Sequence, residues 1–293
     1  MTLRLSSPCK VNFLLNILGK RPDGFHELET LMHPVQWCDE LAFTRQGSQL
    51  QVTCSNPELP VDSRNLVHRA ATRFFDAAKI REGVSIHLEK RIPMAAGLGG
   101  GSGNAACTLR GLNELFGHPL PPETIQEIAA SLGSDINFFL QNQPALASGR
   151  GEKIESLDSF PCLVGRAFFL FHPGFGISTP WAYQNLARFP AALNGQPGRA
   201  ATLAGLLRAG SLSEAAPHFY NALEAPASEK YPILKLYQEF LNRHGSVVSL
   251  MSGSGSTTFA IAENPDAAEN MATLFKQHFG DRGWSAVVAI PGH

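Results

Sequence analysis

From Leu3 to Leu18 apolar residues recur at every second position, with Val11, Phe13, Leu15 and Ile17 in one phase, and that period of two predicts a strand. Lys10 and Asn12 lie on the opposite phase, where a side chain of a half-buried strand points to water unless a site claims it. The strand runs into Gly19-Lys20-Arg21-Pro22-Asp23-Gly24-Phe25-His26, a turn by composition with Pro-Asp-Gly as its strongest signal. Leu28, Leu31, Met32 and Val35 follow, Leu41 and Phe43 resume the alternation, and strands are expected again at Leu50-Gln51-Val52 and from Val84 to Leu88. Between them Leu66, Ala70, Phe74 and Ala77 recur at helical spacing, which predicts a helix beginning near Asn65.

Where the alternation of Val84, Ile86 and Leu88 stops, the chain reads Ile92-Pro93-Met94-Ala95-Ala96-Gly97-Leu98-Gly99-Gly100-Gly101-Ser102-Gly103-Asn104, and then Ala105, Leu109, Leu112 and Phe116 fall on one helical face. The order is strand, glycine-rich loop, helix. Such glycines let backbone N–H groups converge, and the helix behind them adds its positive dipole end, so the stretch is expected to cradle phosphate. A plain glycine turn is the competing reading. Neither a G-x-x-x-x-G-K-[ST] loop nor an acidic residue at the ribose-binding offset of a dinucleotide fold is present. A second helix carries Ile125, Ile128, Ala129 and Leu132, ends at Gly133, and leaves Asp135 beside the apolar run Ile136 to Leu140. Asp135 is either the cap of a short helix or a carboxylate held near the cradle.

Near residue 160 the pattern changes. Ala167 to Phe171 predicts a strand, His172-Pro173-Gly174-Phe175-Gly176 a turn, and Ser178-Thr179-Pro180 leads into Trp181 and Tyr183. Residues 187 to 216 have looser helical patterning. Ser246 to Leu250 and Thr257 to Ile261 are expected as strands joined by the glycine loop Met251-Ser252-Gly253-Ser254-Gly255-Ser256, followed by a helix over 266–279 and a strand over 285–290. The order is α+β rather than a strict βαβ repeat, with domains expected at 1–160 and 161–293.

A chain of 293 residues with 44% hydrophobic and 17% charged residues suits a soluble protein of two packed domains or one large one. A formal net charge of −1 argues against a nucleic-acid partner or an anionic membrane surface. Five well-separated cysteines (Cys9, Cys38, Cys54, Cys107, Cys162), without a C-x-x-C pair or a signal peptide ahead of them, point to a reduced, cytoplasmic setting. The expected partner is a small molecule, and a monomer or weak homodimer is expected.

Phosphoryl transfer requires positioning, neutralisation of the migrating group's charge, and a base for the acceptor's hydroxyl proton. The cradle, Lys10 and Asp135 offer those three parts. The motifs Ser7-Pro8-Cys9-Lys10-Val11-Asn12-Phe13, Gly19-Lys20-Arg21-Pro22-Asp23-Gly24-Phe25-His26-Glu27-Leu28, Asn65-Leu66, the cradle, Gly133-Ser134-Asp135, His172-Pro173-Gly174 and Ser252-Gly253-Ser254-Gly255 together resemble the GHMP kinases. Within them they resemble the branch that phosphorylates a cytidine-diphosphate-linked methylerythritol. The resemblance spans nearly the whole chain.

It implies the two-domain GHMP kinase fold with its active site in the cleft between domains, and use of ATP with Mg²⁺, for which the sequence names no protein ligand. It also implies that Asp135 is the catalytic base and Lys10 its charged partner. Asn65, Leu66, Lys90, Arg91 and Pro93, Met94, Ala95, Ala96, Gly97, Leu98, Gly99, Gly100, Gly101, Ser102, Gly103 and Asn104 would surround ATP. Asn12 would hold the methylerythritol end, Phe25 and Tyr183 would sandwich the cytosine, and His26 would read its edge. Thr179, Pro180, Gly253, Ser254 and Gly255 would line the substrate side.

The chain departs from the usual family pattern at Cys9, Phe25, Gly103-Asn104, Ile136-Asn137 and at Ala222 within Asn221-Ala222-Leu223-Glu224. Phe25 keeps the stacking face of the usual tyrosine, while Gly103 removes a hydroxyl from the cradle. A mevalonate-type or homoserine-type GHMP kinase, and a nucleotide-binding regulator without catalysis, are the rival readings. The Pro-Asp-Gly-Phe-His tract argues against the first, and retention of both Lys10 and Asp135 against the second.

Overall fold

The computed structural model of the chain describes residues 2–291. Its first elements are β1 (Thr2–Lys20), β2 (His26–Arg45), β3 (Leu50–Cys54), α1 (Leu66–Ala78), β4 (Val84–Glu89), α2 (Gly100–Leu115), α3 (Pro122–Leu132) and α4 (Ile136–Gln141). They are followed by β5 (Ala145–Gly149), β6 (Lys153–Ser156), β7 (Ala167–His172), α5 (Thr179–Asn185), α6 (Pro190–Leu193), α7 (Arg199–Arg208), α8 (Leu212–Ala215) and β8 (Tyr220–Asn221). The chain then forms α9 (Glu224–Lys230), α10 (Ile233–Arg243), β9 (Val248–Met251), β10 (Thr258–Ala262), α11 (Pro265–Phe279) and β11 (Trp284–Ala289). Among the described residues no helix is long and apolar enough to cross a membrane.

Packing groups these elements into two units. The first comprises the chain up to Cys9, Trp37–Ile92 and Gly99–Asn142; the second comprises Lys10–Gln36, Pro93–Leu98 and the chain from Gln143 onward. The grouping is not the linear division at 160, because β1, β2 and the glycine-rich stretch each contribute to both units.

In the first unit β4 pairs antiparallel with the second half of β2 (Leu41↔Leu88, Phe43↔Ile86) and parallel with β3 (Val52↔Ile86). The paired apolar residues are all buried, as the period of two requires. α1 buries Val67, Ala70, Ala71 and Phe74; Ala70 and Phe74 belong to the expected face, whereas Leu66 is half-buried and Ala77 exposed. α2 buries residues nearly all round, and its small side chains let it lie close to β2: a Cβ at Gly111 would stand 2.5 Å from the Phe43 ring.

In the second unit the first half of β2 pairs with β5 (Leu28↔Gly149, Met32↔Ala145), β5 with β6, and β1 runs parallel to β8 (Leu14↔Tyr220, Leu15↔Asn221). A separate antiparallel sheet has the order β11-β7-β10-β9. All six residues of β7 are buried, which explains an apolar run without alternation. Phe169, Phe171 and Tyr237 pack around Phe275 of α11, with Phe171 and Phe275 ring centroids 4.6 Å apart. The hairpin expected around the second glycine loop is present as β9 and β10 (Met251↔Thr258). The loosely patterned stretch after Tyr183 breaks into the short helices α6, α7 and α8.

Candidate functional site

From Ser7 to Ile17 β1 does not have the solvated face that its alternation suggests. Lys10 is 3% exposed and Asn12 4%, on the same footing as Val11 and Phe13 at 0%. A buried ammonium is costly unless hydrogen bonds and charge meet it. Lys10 Nζ donates to Asn12 Oδ1 at 2.5 Å and to the Gly97 carbonyl at 2.9 Å. Asn12 is oriented in turn, its Nδ2 donating to Thr30 Oγ1 at 2.9 Å, while the Thr30 hydroxyl donates to the Leu14 carbonyl at 2.5 Å.

The Pro93–Leu98 half of the glycine-rich stretch lies against β1, with the Lys10 N–H donating to the Leu98 carbonyl at 3.0 Å. It also lies against the second glycine loop. Ser252 Oγ donates to the Gly97 carbonyl at 3.0 Å and the Thr257 N–H to the Ala96 carbonyl at 3.2 Å. A Cβ on Gly253 would stand 3.1 Å from Lys10 Nζ, and Ser254 Oγ is 2.9 Å from Thr179 Oγ1. Gly255 closes this loop with φ +88°. Lys10, Asn12, Gly97, Thr179, Gly253 and Ser254 are therefore neighbours within one unit, although 244 positions separate the first from the last in sequence.

Gly97 has φ +76°, and a Cβ there would stand 2.1 Å from the Ser252 carbonyl oxygen. Gly97→Ala is expected to cost about 1–2 kcal/mol in backbone strain alone and to push the two glycine loops apart. A lower melting temperature together with a lower kcat would be the result. An alanine variant with wild-type melting and turnover would show that the close approach of these loops is dispensable.

α5 starts with Ser178 as its cap, accepting from the Trp181 N–H, and Pro180 in its first turn. Thr179 and Tyr183 are four residues apart and share one helix face. The Tyr183 ring meets His26, with centroids 5.1 Å apart. Burial and the nearby Lys20 charge push the His26 pKa below its ordinary value, which favours the neutral ring near pH 7 with one donor and one acceptor nitrogen. Phe25 is 55% exposed, and the Arg150 guanidinium sits 4.9 Å over its ring.

In the first unit Gly99 (φ +70°) precedes α2, and Gly100, Gly101, Ser102, Gly103 and Asn104 make up its first residues. No side chain caps this end and no acidic residue occupies the first turn. The leading N–H groups and the dipole of a 16-residue helix are thus available to an anion, which fits phosphate. A Cβ on Gly101 would stand 3.6 Å from Leu66, and one on Gly100 3.4 Å from Lys90 Nζ, so Leu66 and Lys90 stand beside the start of α2. A Cβ on Gly103 would stand 2.9 Å from the Pro8 carbonyl and 3.0 Å from Ser7 Oγ. The tight passage of β1 thus explains glycine at 103. Ser7 Oγ and Asn104 Oδ1 are buried with no protein hydrogen-bond partner.

Asn65 caps α1: its Oδ1 accepts from the Val67 N–H at 2.9 Å and its Nδ2 donates to the Pro60 carbonyl at 2.7 Å. Lys90 Nζ is committed to Asp39 Oδ2 at 2.7 Å and to the Ile92 carbonyl. Asp39 Oδ1 accepts from the N–H groups of Arg91 and Ile92 at 2.7 and 2.8 Å. Asp39, a residue that sequence reading missed, thus tethers the Lys90 side chain and the Arg91–Ile92 backbone. Its signal was there: Asp39 shares the phase of Leu41 and Phe43, so a carboxylate stands where an apolar residue belongs. Asp135 stands at the N-cap position of α4, half-buried, but its backbone is αR and its side chain makes no capping hydrogen bond. Ile136 behind it is fully buried.

The model of the GHMP kinases N terminal domain matches residues 65–150, and that of the GHMP kinases C terminal matches 199–281. The 4-diphosphocytidyl-2-C-methyl-D-erythritol kinase of Geobacter sp. (strain M21) is 38% identical over 286 residues, 97% of each chain. Its namesake from Chlorobium phaeobacteroides (strain BS1) is 39% identical over 92% of each. A crystal structure of 4-(cytidine 5'-diphospho)-2C-methyl-D-erythritol kinase matches with a TM-score of 0.80 at 32% identity, covering 99% of this chain and 100% of that one. Homoserine kinase from Cytophaga hutchinsonii, at 17% identity and a TM-score of 0.74, shares the fold alone. Both domain models and the full-length relatives agree with the α+β fold class, and the chain belongs to the 4-diphosphocytidyl-2-C-methyl-D-erythritol kinase family of GHMP kinases.

Proposed function

We propose that this kinase transfers the γ-phosphoryl group of ATP to the 2-hydroxyl of 4-diphosphocytidyl-2-C-methyl-D-erythritol. The observation that carries the reading is the Lys10 ammonium, buried in β1 and bonded to Asn12 and to the Gly97 carbonyl of the glycine-rich stretch. Burying a charge is unfavourable, and its contact with the glycine-rich stretch supports a use for that charge in phosphoryl transfer.

The uncapped start of α2 holds phosphate oxygens through backbone N–H groups. Lys10 neutralises charge on the transferring phosphoryl, and Asp135 takes the proton from the acceptor hydroxyl. Among the described residues no group of three or more His, Cys, Asp or Glu is placed to hold a metal. Mg²⁺ accompanying ATP would supply positive charge that offsets the charge of the phosphates. Tyr183, His26 and Phe25 recognise the cytosine, with the neutral His26 ring presenting a donor and an acceptor to the base edge.

Purified protein with ATP, Mg²⁺ and a panel of alcohols tests the assignment. Phosphorylation of the cytidine-bearing alcohol is expected; transfer to mevalonate or homoserine in its place would overturn it, as would transfer to none. Tyr183→Ala tests the cytosine contact. Loss of one stacking ring costs about 1–3 kcal/mol, so KM for the cytidine substrate should rise by about ten- to a hundredfold while KM for ATP stays put. Tyr183 also packs against the second unit's core, so the melting temperature will fall. An unchanged KM for the cytidine substrate in the folded variant would leave Tyr183 as a packing residue only.

A further inference from the structure

The motif Asn221-Ala222-Leu223-Glu224 has no part in the chemistry described so far, yet its two polar side chains converge on the second glycine loop. Asn221 is buried on β8, next to Leu15 of the strand that carries Lys10. Its Nδ2 donates to the Met251 carbonyl at 2.7 Å and to the Gly253 carbonyl at 2.8 Å, and its Oδ1 accepts from the Leu223 N–H at 2.9 Å. Glu224 Oε1 accepts from the Met251 N–H at 2.7 Å and from Gln238 Nε2 at 2.5 Å. Met251 is thus gripped through its N–H by one residue and through its carbonyl by the other, and Gly253 is held by the same amide.

The loop fixed in this way contributes Ser252 Oγ to the Gly97 carbonyl at 3.0 Å, the same oxygen that accepts from Lys10 Nζ at 2.9 Å. We propose that Asn221 and Glu224 are positioning residues of phosphoryl transfer: they lock the Met251–Gly253 backbone, and through the shared Gly97 carbonyl they set the direction of the Lys10 ammonium. Neither needs to touch a substrate. The inference rests on the proposed role of Lys10 in phosphoryl transfer. Ala222 fits the same picture, since its side chain is buried and its N–H donates to the Leu15 carbonyl at 2.9 Å; position 222 secures β8 to β1 through its backbone.

Asn221→Asp keeps the acceptor for Leu223 but replaces both donations to the loop with an oxygen facing two carbonyls. It is expected to lower kcat by about ten- to a hundredfold and to change either KM by less than about threefold. Glu224→Gln retains an acceptor oxygen for Met251. Burial pushes the Glu224 carboxyl up to about 7, and the amide oxygen of glutamine can accept from both Met251 and Gln238 as Oε1 does. Glu224→Gln should therefore keep most of kcat, while Glu224→Ala should lose about as much as Asn221→Asp. If the Asn221 variant does not fold, Ser252→Ala tests the same link, because it removes only the hydroxyl that joins the loop to Gly97.

The deciding measurement is a double-mutant cycle with Lys10→Met. If the clamp acts through Lys10, adding Asn221→Asp to Lys10→Met leaves kcat within about threefold of Lys10→Met alone. Multiplicative losses, or an Asn221→Asp kcat equal to wild type, would overturn the clamp while leaving Lys10 in place. A Lys10→Met enzyme with normal kcat would instead sink the role of Lys10 itself, so the two failures are distinguishable.

Discussion

Asp135→Asn is expected to leave the fold intact and to slow turnover by about two to four orders of magnitude, the scale of a lost general base. The substitution is isosteric at a half-buried position, and the carboxylate makes no capping hydrogen bond to α4, so the helix loses no cap when the charge is removed. The fully buried side chain of Ile136 and the packing of Phe138 and Phe139 hold the start of α4 in either variant. What the amide cannot do is accept the proton of the acceptor hydroxyl. Steady-state kcat at saturating ATP and alcohol, with a melting curve for each protein, separates chemistry from structure. Near-normal turnover would remove Asp135 from the mechanism. A fall in kcat matched by a collapse of the melting transition would make it a folding residue.

Local periodicity located most of the elements because each buries one face, and the period of that face is written in consecutive residues. β4, α1, α3, β7 and α11 appear close to where their apolar spacing puts them. The same reasoning fails wherever a strand is covered on both sides. β1 alternates in sequence, yet Asn12 and Lys10 are as deeply buried as the apolar residues between which they lie, because loops from distant parts of the chain cover the second face. Asp39 was legible in principle, as a carboxylate on an apolar phase. Its partners, the N–H groups of Arg91 and Ile92, lie some fifty residues on, and nothing near Asp39 announces them. Asn221 and Glu224 are a stronger case. Their bonds to Met251 and Gly253 are made between segments that no short-range pattern relates. Glycines were the best guide to such approaches. At Gly97, Gly103 and Gly111 the missing Cβ marks a place where another segment occupies the space, and each of those segments belongs to the site or to the core beside it.

Lys10→Met is expected to reduce kcat by about 10²–10³-fold, the effect of removing one preorganised electrostatic donor, and to change KM for either substrate much less. The split follows from when the charge is needed. Positive charge beside the migrating phosphoryl stabilises the transition state more than the bound ground state, so its loss appears in kcat rather than in binding. On stability, the contacts to Asn12 and the Gly97 carbonyl bring two opposing effects. Methionine has a similar length and no charge, so the cost of burying an ammonium disappears. Against that, Asn12 Oδ1 loses its donor, worth about 1–3 kcal/mol if nothing replaces it. The Gly97 carbonyl keeps the Ser252 hydroxyl at 3.0 Å and is not orphaned. A melting temperature within a few degrees of wild type, with turnover nearly abolished, is therefore the expected pair of results. If the ATP KM alone rose and kcat held, Lys10 would be a ground-state contact to the nucleotide, and charge neutralisation in the transition state would have to come from elsewhere.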